Sequence, residues 1–357
     1  MAKTASVNAT APITPDASPP GLYKASWIDR LMTWVDALPW PYWLTYLVLG
    51  LAETAFIQCA IWLYEPEMRF VVQLETAVFP LWTWGVLALM MALNQEAILG
   101  LHRFHPLLDA DEANIATLEY EITKMPARTV LLTTPVWLVI FALIAITSPI
   151  ISHHLKSPIL YSVLILTGLV AFLVGTGIYI HTVHQLRVVN RLYAGMKKIN
   201  MFHLAPVHAF SSLTAQTAIG FVVLIALTQL MYPYSLMEMN LLLLFVSLAL
   251  MALAVFILPL RHAHQRLVSG KQRLQADAAQ RMETALHHLH EAVDEQNIGA
   301  LDGLNKIVAA ISNERDILAK IHTWPWPQGT LRAVTTVMLV PIALFLIQAI
   351  LRRWFGF

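Results

Sequence analysis

Seven stretches of this chain run for about 20 residues with almost no charge, and they restrict its fold more than any other feature. The clearest covers residues 241–260 and reads LLLLFVSLALMALAVFILPL. A helix rises 1.5 Å per residue, so ~20 apolar residues cross the ~30 Å hydrocarbon core of a bilayer. On that criterion spans fall at 42–64, 73–94, 129–151, 159–182, 210–232, 238–260 and 333–351. Composition agrees. Charged residues make up 13% of the chain and hydrophobic ones 57%, where a soluble domain carries about 25% charged residues. The expected fold is an all-α integral membrane protein, a bundle of about seven transmembrane helices, and the lipid bilayer is its first partner.

Lysine and arginine set the orientation. With the N-terminus inside, Arg69, Lys156, Arg352 and Arg353 are the only four cations left outside, and the other 19 face inward. This predicts a multi-pass plasma-membrane protein with a cytoplasmic N-terminus and long cytoplasmic loops. Arg352 and Arg353 run against the rule. They either snorkel into outer headgroups or mark a last segment that does not fully cross.

Residues 1–25 read as a disordered tail rich in Ala, Thr and Pro. Residues 26–40 place Trp27, Leu31, Trp34, Val35 and Leu38 at helical spacing, with Asp29, Arg30 and Asp36 elsewhere on the wheel. Tryptophan at that density suits a helix lying in the headgroup layer. Residues 41–260 then hold six spans, with cytoplasmic loops at 95–128 and 183–209. The helical spacing of Leu186, Val189, Leu192 and Tyr193 predicts that span four continues past the membrane surface. Small residues Gly168, Ala171 and Gly175 favour close helix packing in that span.

The one long charged segment is 261–326. It reads as a cytoplasmic antiparallel hairpin of two amphipathic helices between the last two spans, with residues 327–357 forming the final span and a short tail. Leu267, Leu274, Met282 and Leu289 mark one stripe, and Leu304, Ile311 and Leu318 the other, with Arg315 interrupting the second. Steps of three and four residues give coiled-coil-like seams and make these the candidate partner-binding positions. Residues 296–299, Gln-Asn-Ile-Gly, supply the turn.

Chemistry-bearing residues are few. Glu53 sits mid-span, where a charged carboxylate costs about 2.5–3.5 kcal/mol on insertion scales. Gln58, and Gln216 with Thr217 in span five, are its candidate polar partners. The pairs His287–Glu291 and His290–Asp294 have the i,i+4 spacing of metal ligands. They lack a third ligand and an HExxH pattern, so solvated polar surface is the plainer reading. Phosphate-binding loops, nucleophile elbows and dinucleotide fingerprints do not occur, and no cofactor is implied. A net charge of +1 points to no nucleic acid, and Cys59, the only cysteine, excludes an intrachain disulfide. The expected function is a non-enzymatic scaffold or signalling component that acts through its hairpin on a protein partner or a second copy. The alternative is a transporter or channel with Glu53 in its path.

Overall fold

The computed structural model describes residues 22–108, 112–147, 157–196, 204–233, 235, 238–296, 298–321, 323, 324, 326 and 328–355. Among these it is helical, with one isolated β-bridge between Ala25 and Pro126. The chain divides into two compact units. The first is drawn from Met1–Asn94, Glu112–Gln185 and Ala226–Leu242, the second from Gln95–Asp111, Leu186–Ile225 and Leu243–Phe357.

Twelve helices follow in order among the described residues. They are α1 Trp27–Asp36, α2 Tyr42–Tyr64, α3 Leu74–Leu107, α4 Glu112–Thr123, α5 Ala127–Thr147 and α6 Pro158–Gly195. Then come α7 Ser211–Met231, α8 Met239–Ile257, α9 Arg261–Asp294, α10 Ile298–Lys320, α11 Gln328–Met338 and α12 Val340–Phe355. Seven segments are long and apolar enough to cross a membrane: α2, α3, α5, α6, α7, α8 and Arg332–Leu351. They mark the chain as a polytopic membrane protein, and each overlaps one of the seven expected spans. The seventh is broken at Leu339, where α11 ends and α12 begins. Pro341 follows the break and has no N–H to continue the helical ladder.

Two regions expected as loops are partly helical, the second as the spacing of Leu186, Val189, Leu192 and Tyr193 predicts. Residues 95–107 continue α3, and 183–195 continue α6. At 38 residues, α6 rises about 57 Å, well beyond the hydrocarbon core. The 1–21 part of the predicted tail lies outside the described residues, but 22–25 are tied down: the Lys24 carbonyl accepts from Ala127 N at 2.9 Å.

In the first unit, α1 begins with a capping box. Ser26 Oγ accepts from Asp29 N at 3.2 Å, and Ser26 N donates to Asp29 Oδ2 at 3.1 Å. Its buried face is Ile28, Asp29, Met32 and Val35, while Trp27 and Trp34 stay exposed. The expected wheel had put Asp29 on the polar side. The α6 glycines give close approach. A Cβ on Gly175 would lie 3.0 Å from Trp82, and one on Gly177 only 2.3 Å from Ile28 Cδ1. Ile57, Ile61, Leu160 and Leu164 form a core between α2 and α6.

In the second unit, Phe104, Tyr193 and Phe210 pack with ring centroids 5.2–5.9 Å apart. The Tyr193 hydroxyl donates to Val207 O at 2.8 Å. Arg266 of α9 donates to Ala194 O at 2.8 Å and also to Met196 O, closing the C-terminal end of α6. Helices α9 and α10 lie against one another. Lys271 Nζ donates to Ala319 O at 2.8 Å and Ile321 O at 2.9 Å, and Arg281 pairs with Glu314 at 3.5 Å. Residue numbers rise on one helix as they fall on the other. Left-handed Gln296, φ 55°, follows the end of α9; Asn297 of the expected turn lies outside the described residues.

Candidate functional site

Three groups of polar side chains are candidates. The first is the intramembrane acid. Glu53 of α2 is half-buried and accepts from Trp84 Nε1 at 2.6 Å. Trp84 belongs to Leu81–Gly85, a π-helical turn inside α3. Such turns recur at functional sites because they re-aim side chains within a helix. Of the polar partners expected for Glu53, Gln58 and Thr217 are engaged elsewhere. Gln58 is buried, donates to Val71 O at 2.9 Å and accepts from Gln73 N at 2.9 Å. It clamps the irregular stretch between α2 and α3. Gln216 is exposed on α7, and Thr217 Oγ1 donates to Leu213 O of its own helix at 2.8 Å. The spacing of Trp84 from Glu53 along the sequence gives no hint of their contact.

The second group lies in the first unit, and sequence reasoning missed it. The Asp29 carboxylate is buried, and its Oδ2 accepts from Ser26 N, from Ser26 Oγ at 2.6 Å and from Met125 N at 2.9 Å. Its Oδ1 is buried without a hydrogen-bond partner. Burial pushes the Asp29 carboxyl above the ordinary range, and the Ser26 bond and the charge of Lys124 pull less strongly the other way. Tyr120 donates to Tyr23 O at 2.8 Å, and burial, then the nearby Asp29, push its phenol up. Tyr23 donates to Lys124 O at 2.9 Å. His184 Nε2 lies 2.9 Å from the Tyr23 hydroxyl and 2.8 Å from Glu121 O. A carbonyl only accepts, so this nitrogen carries the proton.

One turn of α6 earlier, His181 Nε2 meets Asn94 Oδ1 at 2.8 Å, and its buried Nδ1 has no hydrogen-bond partner. Gln185 donates to Ile122 O at 3.3 Å. Residues 23–29 are thereby tied to the α4–α5 corner, and that corner to α6. This arrangement can hold and move protons, but it contains no activated nucleophile. Only one local signal was readable in advance: Ser26 and Asp29 have capping-box spacing.

The third group is on the α9–α10 pair. Leu267 and Leu318 are fully buried, and Leu274, Met282, Leu289, Leu304 and Ile311 are partly so. Most of the expected partner-binding positions are therefore covered already, several of them by the packing of the pair. Arg315 is exposed and does not interrupt the seam. Glu314 sits there instead, against Arg281. The apolar residues left open are Leu286, Val293, Ile307 and Ile317. A groove of about 590 Å³ runs between the helices, its α9 wall polar with Asp277, Arg281 and His288, its α10 wall apolar with Leu304, Ile307 and Ile311.

His287, His288 and Glu291 bring one donor atom each within 4.8 Å of one another. Glu291 Oε1 is 3.4 Å from His287 Nδ1, and Oε2 is 3.2 Å from His288 Nδ1. Two imidazoles and a carboxylate suit zinc, but all three are exposed on one helical turn and have no fourth protein ligand among the described residues. His290 and Asp294, the other expected pair, are exposed and lie outside this trio. At the opposite end of the pair, flat rings stack in a row. Phe256 lies on Trp326 at 4.5 Å, Trp326 on Trp324 at 4.8 Å, and Trp324 on His264 at 4.0 Å.

The chain matches no family model, no curated protein and no solved structure.

Proposed function

We propose that this polytopic membrane protein is a non-enzymatic assembly component that works through a cytoplasmic hairpin formed by α9 and α10. The groove between the two helices carries the reading. One polar wall and one apolar wall suit an amphipathic helix, from a protein partner or from a second copy. Ile307 is half exposed on the apolar wall, where an incoming apolar side chain can reach it. Photocrosslinking residues at 280 and 284 on the polar wall, in the full chain in its native membrane, test this. Expected is a discrete adduct that disappears on Ile307→Ser, which alters the apolar wall. Its mass separates a second copy from another protein. A chain that yields no adduct from either position would overturn the reading.

The bond between Glu53 and Trp84 in a π-helical turn favours a second reading, a transporter or channel with Glu53 in its path. A functional acid at mid-span faces other helices or a wet path. Purified chain in liposomes should then move protons or a small ion, and Glu53→Gln should abolish the flux. Absence of flux from the unaltered chain rejects this second reading and leaves the first untouched.

A further inference from the structure

The charges on α9 and α10 are segregated along the axis of the pair. Residues 261–276 and 317–335 hold six cations, Arg261, Arg266, Lys271, Arg273, Lys320 and Arg332, and no acid. Residues 277–316 hold eight acids and three cations, a net of −5. The two helices change sign at the same level. Lys271 reaches Ala319 and Ile321, and Arg281 reaches Glu314, so Asp277, the first acid of α9, stands beside Asp316, the last acid of α10. The basic end adjoins the apolar helices α8 and Arg332–Leu351. Trp324 and Trp326 lie there too, at the depth where tryptophan favours the membrane interface.

Two of the six cations are used within the fold, Arg266 on the α6 carbonyls and Lys271 on those of α10. Arg261, Arg273, Lys320 and Arg332 are exposed and have no partner among the described residues. We infer that these four form a collar for anionic phospholipid headgroups at the base of the α9–α10 pair. The acidic far end is repelled by the same surface, so the two charge blocks together would hold the pair away from an anionic leaflet. A cation near such a surface strengthens association roughly fivefold. The inference is independent of what the groove binds.

Electron spin resonance of labelled lipids tests it. The full chain is reconstituted in phosphatidylcholine vesicles carrying spin-labelled phosphatidylglycerol or, in parallel, spin-labelled phosphatidylcholine. The unaltered chain should immobilise the anionic lipid with a preference of about fivefold or more. That preference should fall towards unity in the combined variant Arg261→Gln, Arg273→Gln, Lys320→Gln and Arg332→Gln. It should persist in Lys306→Gln with Arg315→Gln, which removes cations from the acidic end. Salt at 1 M, which shortens the screening length to about 3 Å, should erase it in the unaltered chain and so tests the collar without any substitution. Equal immobilisation of the two lipids would overturn the inference, as would a preference that survives the four substitutions or 1 M salt.

Discussion

Arg266, near the start of α9, donates from Nη2 to the carbonyl of Ala194, near the end of α6, at 2.8 Å. A second donation reaches Met196 O. The last carbonyls of a helix have no partner within it, and a guanidinium there satisfies them and meets the negative end of the helix dipole. Its planar fork serves two carbonyls, where a lysine ammonium acts as a point charge. Arg266→Ala should destabilise the second unit by about 1–2 kcal/mol, and Arg266→Lys should restore only part of that. Hydrogen exchange in detergent checks it: protection should fall at the C-terminal turn of α6 and the first turns of α9. Unchanged protection at both places would mean that the contact contributes nothing.

Asp29 makes the docking of α1 pH-dependent. Its folded carboxyl titrates above the ordinary value, chiefly through burial. Between the unfolded and folded values the native state therefore binds more protons than the unfolded state, and stability falls as pH rises through that window. Facing the carboxyl are Lys124 and Tyr120, and Ser26 and Met125 supply its hydrogen bonds. Thermal unfolding from mildly acidic to neutral pH should show this loss. Asp29→Asn should flatten that dependence, because an amide does not titrate. Asp29→Ala should cost about 1–3 kcal/mol at mildly acidic pH by leaving the buried Met125 N–H unpaired, and the cost should shrink as pH rises. A pH slope that is the same with and without the Asp29→Asn substitution would show that another group titrates.

The spans were legible because lipid imposes a simple rule: every backbone polar group must be satisfied within a helix, and the side chains must be apolar for about 20 residues. The residues 241–260 can hardly be read otherwise. The extension of α6 to Gly195 was legible from the spacing of Leu186, Val189 and Leu192. The polar contacts were not. His184 meets Glu121 O, and Trp84 meets Glu53, across sequence separations of 63 and 31 residues, and no local periodicity encodes such pairs. Asp29 misled for a different reason. Charge on a helical wheel points outward by default, yet a capping box and the Met125 N–H make burial tolerable for this carboxylate. On α9 and α10 the stripes identified residues that are wholly or partly buried, and of these Leu304 and Ile311 still line the groove.

The contact between Gly177 and Ile28 gives a prediction whose sign depends on one methyl group. Replacing a mid-helix glycine with alanine gains roughly 0.5–1 kcal/mol of helix propensity. Here the added Cβ would sit 2.3 Å from Ile28 Cδ1 and 3.7 Å from Ile28 Cγ1. The near atom is the end of a side chain, but Ile28 is fully buried and has little room to turn. Crowding in a packed core costs about 1–3 kcal/mol, so Gly177→Ala alone should be net destabilising and should loosen α1. Ile28→Val removes Cδ1. In that background Gly177→Ala should become neutral or stabilising by about 0.5 kcal/mol. A double-mutant cycle on unfolding free energy measures the coupling directly, which should be about 1 kcal/mol or more in favour of the pair. Additive effects within about 0.3 kcal/mol would show that the two residues do not press on one another, and α1 would then owe its position to its other contacts, the Asp29 bonds among them.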